Sequence, residues 1–362
     1  MARAGQSTPR TRSRRLPVLL AALVAFALAG CTGSTGDSAG AATTKDSPSA
    51  STGAGGGAVF GRIPDIVDNV QPSVVTIRTR KALGSGVIYK SDGVIVTNRH
   101  VVARSERKDA SLFENVTVVF ATGKKARGHV VGADYRTDLA VIKIKKGGSL
   151  NTARFRTGLP EVGELAVAMG SPLGFNESVT AGIISGLNRS FPVSQTKRPL
   201  VNLIQTDAPI SPGNSGGALV DENGRVVGIT ELYLPPGKTG AVAIGFAIPS
   251  TTVVDVVDQI LKTGHVQHAT LGIGVVALTP ALAKQLGVDR SQGALVRQVV
   301  KGSGAAKAGI QPGDVIVVVG GKKVREVNTL YAVLRDHDPG DQITVTVVRG
   351  DQQKKLQVTL TG

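Results

Sequence analysis

Ser215 stands in the run Ser211-Pro212-Gly213-Asn214-Ser215-Gly216-Gly217, whose small residues let backbone N–H groups approach a reacting carbonyl. A serine hydroxyl attacks at neutral pH only if a base takes its proton, and the base needs a third group to hold its tautomer and stabilise its charged form. The chemistry therefore asks for one histidine and one carboxylate. Of the five histidines, His129 falls in a polar stretch, His265 and His268 in a connector, and His337 in a charged loop. His100, in Val96-Thr97-Asn98-Arg99-His100-Val101-Val102, follows an apolar strand pattern at a turn, where a rigid sheet can aim it. Asp138, in Arg136-Thr137-Asp138-Leu139-Ala140-Val141-Ile142, directly precedes an apolar run. It should be buried at a strand end, where a carboxylate needs partners. Asp134, four residues earlier in a more open turn, is its competitor.

The serine run fits two unrelated frames. Gly213-Asn214-Ser215-Gly216-Gly217 satisfies the G-x-S-x-G elbow of α/β-hydrolases and equally the nucleophile loop of a chymotrypsin-like double barrel. Chain order separates them, because the elbow enzymes run Ser, acid, His, whereas here His100 precedes Asp138 and Asp138 precedes Ser215. The histidines after Ser215 lie in the connector or the C-terminal stretch, and an alternating β/α pattern is missing.

The elements that must hold these residues are mostly short β-type runs between turn residues: 73–78, 86–89, 94–97, 116–120, 140–144, 165–169, 182–186, 218–220, 226–230 and 244–248. This predicts a mainly β fold of closed or sandwiched antiparallel sheets, as two small barrels or one large one. A helix is predicted over 251–262, with Val253, Val254, Val257, Ile260 and Leu261 on one face, ended by Thr263-Gly264. From about 269 to 362 a separate α+β module is predicted, with strands at 293–299, 315–319, 342–348 and 355–360 and helices near 280–286 and 329–335.

The 362 residues and 41% apolar content suffice for two or three packed domains. The net charge is +16, but Arg3, Arg10, Arg12, Arg14 and Arg15 precede any acid, and the remaining basic residues are dispersed. With no Trp and 3% aromatic residues, a nucleic-acid surface is not expected, and a solvated basic surface is. Residues 1–31 read as an export signal: a cationic start, then an apolar run over 16–29 that is short for a membrane span. The run ends Leu28-Ala29-Gly30-Cys31, which resembles a bacterial lipobox and makes Cys31 the expected lipid-attachment site. Cys31 is the only cysteine, so internal disulfides are excluded. The Gly-, Ser-, Thr- and Ala-rich stretch 32–60 reads as a flexible tether, followed by a catalytic domain over 61–262, a hinge at 263–270 and the C-terminal module over 271–362.

In order along the chain stand Gly84-Ser85-Gly86-Val87-Ile88, the His100 and Asp138 segments, Gly170-Ser171-Pro172-Leu173-Gly174, Ser178-Val179-Thr180-Ala181-Gly182-Ile183-Ile184-Ser185, Gln205-Thr206-Asp207-Ala208 before the Ser215 loop, and Gly245-Phe246-Ala247-Ile248-Pro249. In this order and spacing the chain resembles the HtrA (DegP-like) family of trypsin-like serine proteases with C-terminal PDZ domains. It departs from the family pattern at Arg99, Pro209 and Ser211. The resemblance implies a chymotrypsin-like double β-barrel, a triad of His100, Asp138 and Ser215, and an oxyanion hole at Gly213, Asn214 and Ser215. It implies no cofactor and no metal. It matches Ile210 and Leu234 to the substrate pocket, where Pro209 replaces the carboxylate of a trypsin-like pocket, so cleavage after small aliphatic residues is expected. In the PDZ domain it implies a carboxylate-binding loop at Thr270, Leu271, Gly272 and Ile273, walled by Leu330 and Val333. Implied partners are unfolded or damaged envelope proteins, C-terminal peptides, the membrane through the lipid anchor, and further copies in a trimer built near Val59-Phe60.

Overall fold

The computed structural model describes residues 61–105, 107–145, 149–170, 178–191, 199–235, 237 and 243–362. The export signal, Cys31, the tether, Val59-Phe60 and most of Gly170–Gly174 lie outside them.

Six strands, β1 (Val74–Arg78), β2 (Leu83–Lys90), β3 (Val94–Asn98), β4 (Asn115–Phe120), β5 (Lys125–Asp134) and β6 (Leu139–Ile144), close into a barrel in the order β1-β2-β3-β6-β5-β4. A second sheet uses β7 (Arg154–Phe155), β8 (Leu165–Gly170), β9 (Ser178–Phe191), β10 (Leu200–Thr206), β11 (Ala218–Val220), β12 (Arg225–Tyr233) and β13 (Gly245–Pro249). Its order is β11-β8-β9-β10-β13-β12, and pairing of β11 with β12 closes it, with β7 appended to β12. The fold is the mainly β double barrel expected.

Strand alternation explains why these runs are apolar on both faces. Ile95, Ala140 and Ile142 point into the first barrel. Their neighbours Val94, Val96, Leu139 and Val141 point outward into a seam shared with Val167, Val220 and Ile229 of the second barrel. Successive side chains face opposite ways, so one strand supplies two cores. The helix Ser250–Thr263 lays Val253, Val256, Val257 and Ile260 on the same seam, and the helix Ile63–Val70 adds Ile66 and Val70. Burying a side chain of this kind contributes about 1.5–3 kcal/mol.

Two barrel strands are absent from the predicted runs. In β5 apolar residues alternate with charged ones, and Gly128 takes an inward place because a Cβ there would lie 2.6 Å from Ile142 Cγ2. In β10 the pattern breaks at Asn202, whose φ of 60° accompanies a shift of register against β9.

The C-terminal module is a sheet of β14 (Ile273–Ala277), β15 (Ala294–Val299), β16 (Val315–Val319), β18 (Gln342–Arg349) and β19 (Gln352–Thr359), with β17 (Lys322–Lys323) beside β16. Helices Pro280–Leu286, Gly304–Lys307 and Val327–Arg335 complete it. Its core joins Leu271, Val296, Ile316, Leu330, Val333 and Val345.

Candidate active site

β3 and β6 are antiparallel neighbours with Asn98 opposite Leu139. One step beyond that pair the chains diverge, and there His100, on the short helix Arg99–Val102, meets Asp138 on the turn entering β6. Arg99 N–H donates to Asp138 O at 2.7 Å and His100 N–H to Asp138 Oδ1 at 3.2 Å. His100 Nδ1 contacts Asp138 Oδ2. Asp138 holds φ at 58°, a left-handed conformation that Asp tolerates better than most residues. The His100 side chain is 37% exposed and that of Asp138 15%, so the ring reaches solvent while the carboxylate lies behind it.

Ser215 comes from the second barrel, and its loop is tied across the seam. Ser85, on β2, donates its N–H to Ser215 O at 2.8 Å and its hydroxyl to Gly213 O at 2.7 Å, and Thr97 Oγ1 donates to Ser85 O at 2.6 Å. Gly216 is required: at φ 86° any Cβ would lie 2.2 Å from Ser85 O. Asn214 N–H donates to Ser211 O, and the Asn214 side chain is buried against Gly170 with no partner for Nδ2 or Oδ1 among the described residues. The backbone N–H of Asn214 is thereby committed to Ser211 O. The N–H groups of Gly213 and Ser215 donate to no described residue and can serve an incoming oxyanion.

Two findings lie outside the sequence reading. The Ser215 hydroxyl donates to the backbone carbonyl of Glu231 at 2.9 Å. The Glu231 side chain, on β12 and only 5% exposed, lies behind His100 and Asp138. Its Oε2 accepts from Asn98 Nδ2, its Oε1 is 3.8 Å from His100 Nδ1, and its carboxyl lies within 4.8 Å of that of Asp138. Burial, then the adjacent Asp138 charge, pushes the Glu231 carboxyl well above the ordinary glutamate range. The available signal was an acid inside the mostly apolar strand Arg225–Tyr233.

Asp134 is not beside His100. Its Oδ2 accepts from Thr137 N–H at 2.8 Å and Thr137 Oγ1 at 2.6 Å, and its Oδ1 meets His268 Nε2 at 2.8 Å. It braces the turn that carries Asp138. Ligand atoms of His100, Asp138 and Glu231 lie within 4.8 Å of one another, the spacing a divalent cation would need. The Asp138–His100 and Glu231–Asn98 contacts already engage these side chains.

Ile210 is buried in the second-barrel cluster against which Tyr233 packs, whereas Leu234 packs on the seam cluster. Consecutive residues of an extended chain face opposite sides, so Tyr233 replaces Leu234 as Ile210's partner. A cavity of about 600 Å³ is lined, on the side of the C-terminal module, by Thr270, Leu271, Gly272, Ile273 and Leu330. Val333 points instead into the module core, and Tyr331 and Leu334 take its place on the wall. Opposite stand Thr137 and Val201 of the barrels and Thr252 of the helix Ser250–Thr263. Arg335 Nη1 donates to Val201 O at 2.7 Å, fastening the wall helix to β10.

Residues 84–229 match the trypsin-like peptidase domain family and residues 269–360 the PDZ domain family. The chain is 39% identical over 284 residues to the periplasmic serine endoprotease DegP of Escherichia coli, covering 77% of this chain and 57% of that protein. It is 40% identical over 292 residues to the serine protease Do-like HtrA of Lactobacillus helveticus, covering 77% of this chain and 68% of that protein. The chain thus spans little more than half the length of the DegP relative. Among solved structures it resembles the HtrA-type protease AlgW with a decapeptide, at a TM-score of 0.66 and 30% identity over 82% of this chain and 98% of that one. A serine endoprotease from Yersinia pestis matches at a TM-score of 0.60 and 32% identity over 82% and 97% of the two chains.

Proposed function

The chain belongs to the HtrA/DegP family of trypsin-like serine endoproteases with a PDZ domain, and on that premise we propose that it hydrolyses peptide bonds through His100, Asp138 and Ser215. The observation that carries this reading is that the His100–Asp138 pair of one barrel and Ser215 of the other both abut Glu231 at the seam. His100 takes the Ser215 proton as Oγ attacks, Asp138 orients the ring through Nδ1, and the N–H groups of Gly213 and Ser215 receive the oxyanion. One such donor is worth about 3–4 kcal/mol of transition-state stabilisation. As Oγ attacks, the hydroxyl gives up its bond to Glu231 O for His100.

The residues divide as a protease domain over 61–262, a hinge at 263–270 and a PDZ domain over 271–362. Ile210 with Tyr233, and Pro209 in place of a carboxylate, favour apolar side chains before the cut. Cleavage-site sequencing that returned Lys or Arg there would refute this preference. The loop Thr270–Ile273 and Leu330 receive the C-terminal ends of misfolded or damaged proteins, the ligand adding a strand to the sheet. Export with lipid attachment at Cys31 places the enzyme on the outer face of the cytoplasmic membrane or in the bacterial envelope, as a homotrimer joined near Val59-Phe60.

The test is labelling by a serine-directed fluorophosphonate. The wild-type chain should label stoichiometrically at Ser215, faster when a C-terminal peptide is present, and Ser215→Ala should not label or cleave casein. A wild-type chain that stays unlabelled with and without peptide while binding that peptide would instead mark a PDZ scaffold.

A further inference from the structure

Asn98 Nδ2 spans two groups, Asp138 O at 3.2 Å and Glu231 Oε2. The same amide thus holds the acid's backbone and a second carboxyl in one buried corner. Oxygens of the Glu231 and Asp138 carboxyls lie within 4.8 Å of each other in this buried corner, and two like charges so close and so shielded from water are not both kept, so one carries a proton. The charged groups facing Glu231 are Asp138, on the turn before β6, and His100, on the helix after β3; β3 itself contributes the uncharged Asn98. Neither Asn98 nor His100 Nδ1, which is engaged with Asp138 Oδ2, neutralises a second negative charge there.

We propose that Glu231 is a positioning residue of the triad, standing behind Asp138 as a neutral carboxylic acid that donates its proton to the Asp138 carboxylate and so fixes it toward His100. This rests on the protease reading above. The direction in which burial and Asp138 move the Glu231 carboxyl agrees with it. When the pH rises far enough to ionise Glu231, the Asp138 carboxylate loses its donor and gains a like charge beside it. The triad then loosens, and the rate falls on the alkaline side.

Two measurements on the full chain test the proposal. In the first, the second-order rate constant for fluorophosphonate labelling of Ser215 is followed against pH for wild type, Glu231→Gln and Glu231→Ala. Removing the donor in Glu231→Ala should slow labelling about tenfold or more at neutral pH, the scale of a lost hydrogen bond to a charged group. Glu231→Gln can donate from its amide to Asp138 and accept from Asn98, so it should recover most of that loss and lack the alkaline fall of wild type. A Glu231→Gln chain that is folded but as slow as Glu231→Ala would overturn the proposal, because the charge would then be what matters. So would a Glu231→Gln profile that superimposes on wild type at every pH, or a Glu231→Ala chain that melts earlier yet labels with an unchanged profile.

The second measurement needs no variant to fold. Carbon-13 NMR of a glutamate-carboxyl-labelled wild-type chain should show one carboxyl still protonated at neutral pH, the one buried at residue 231. If every glutamate titrates in the ordinary range, the proposal fails whatever the enzyme does. If wild type is never labelled by the phosphonate, the protease reading fails instead, and the NMR titration still locates the proton.

Discussion

Asp134 and Glu231 are both buried acids bracing the turn that carries Asp138, and their surroundings move them in opposite directions. Burial works against the charge at Asp134, yet bonds to His268 and Thr137 outweigh it and hold the carboxyl below the ordinary range. At Glu231 burial is joined by the like charge of Asp138, and the Asn98 bond is too little to offset them. Depth in the protein does not decide the sign; the character of the first neighbours does. One corner is held by a charge and the other by its absence.

The largest expected effect leaves that contrast intact. Ser215→Ala should lower casein hydrolysis by on the order of 10⁶ while melting temperatures across the pH range follow wild type. A shift in those melts would show that the hydroxyl bond to Glu231 O also supports one of the corners. Next, Asp134→Ala should cost about 2–4 kcal/mol in urea unfolding at neutral pH, since it strips partners from Thr137 and His268. The milder Asp134→Asn tests the sign. A carboxyl with a depressed native pKa stabilises above its unfolded pKa and loses that contribution as pH falls through the native value, so the gap between wild type and Asp134→Asn should close in acid.

Glu231→Gln should show the reverse. A carboxyl with a raised native pKa contributes fully below its unfolded pKa, and the contribution is lost as pH rises through the native value. Wild type should therefore lose stability relative to Glu231→Gln as the solution becomes alkaline. Two gaps that move the same way with pH would break the comparison. The smallest effect belongs to Arg335, whose burial lowers its pKa while Asp134 and Asp336 oppose that. Arg335→Ala should cost about 1 kcal/mol for the lost bond to Val201 O. Its coupling to Asp134→Asn in a double-mutant cycle should stay under about 0.5 kcal/mol if Thr137 and His268 are what hold Asp134.

What the sequence displays and what it hides divide along the same physical line. His100, Asp138 and Ser215 are legible because chemistry requires their types and topology their order, and the barrel strands because burial on two faces leaves unbroken apolar runs. Gly128 conceals its strand because close packing there removes the side chain that periodicity counts. Tyr233 against Leu234 is a question of which way a strand end turns, and Val333 against Leu334 of which helix face meets the core. Single-residue registers of this kind are settled by partners distant in sequence. Glu231 was in plain view as an acid in an apolar strand, but its meaning depends on Asp138, brought beside it only when the barrels dock.

The thread from Thr97 through Ser85 to Gly213 and Ser215 also bears on the order of events in the making of the chain. Synthesis runs from the N-terminus and domains tend to fold as they emerge. The first barrel is complete at Ile144, so a growing chain holds His100 and Asp138, the proposed base and acid, long before Ser215, the proposed nucleophile. The second barrel closes only when β12 and β13 have arrived, and with them Glu231. On the proposed reading, the three residues come together only after most of the two barrels has been made.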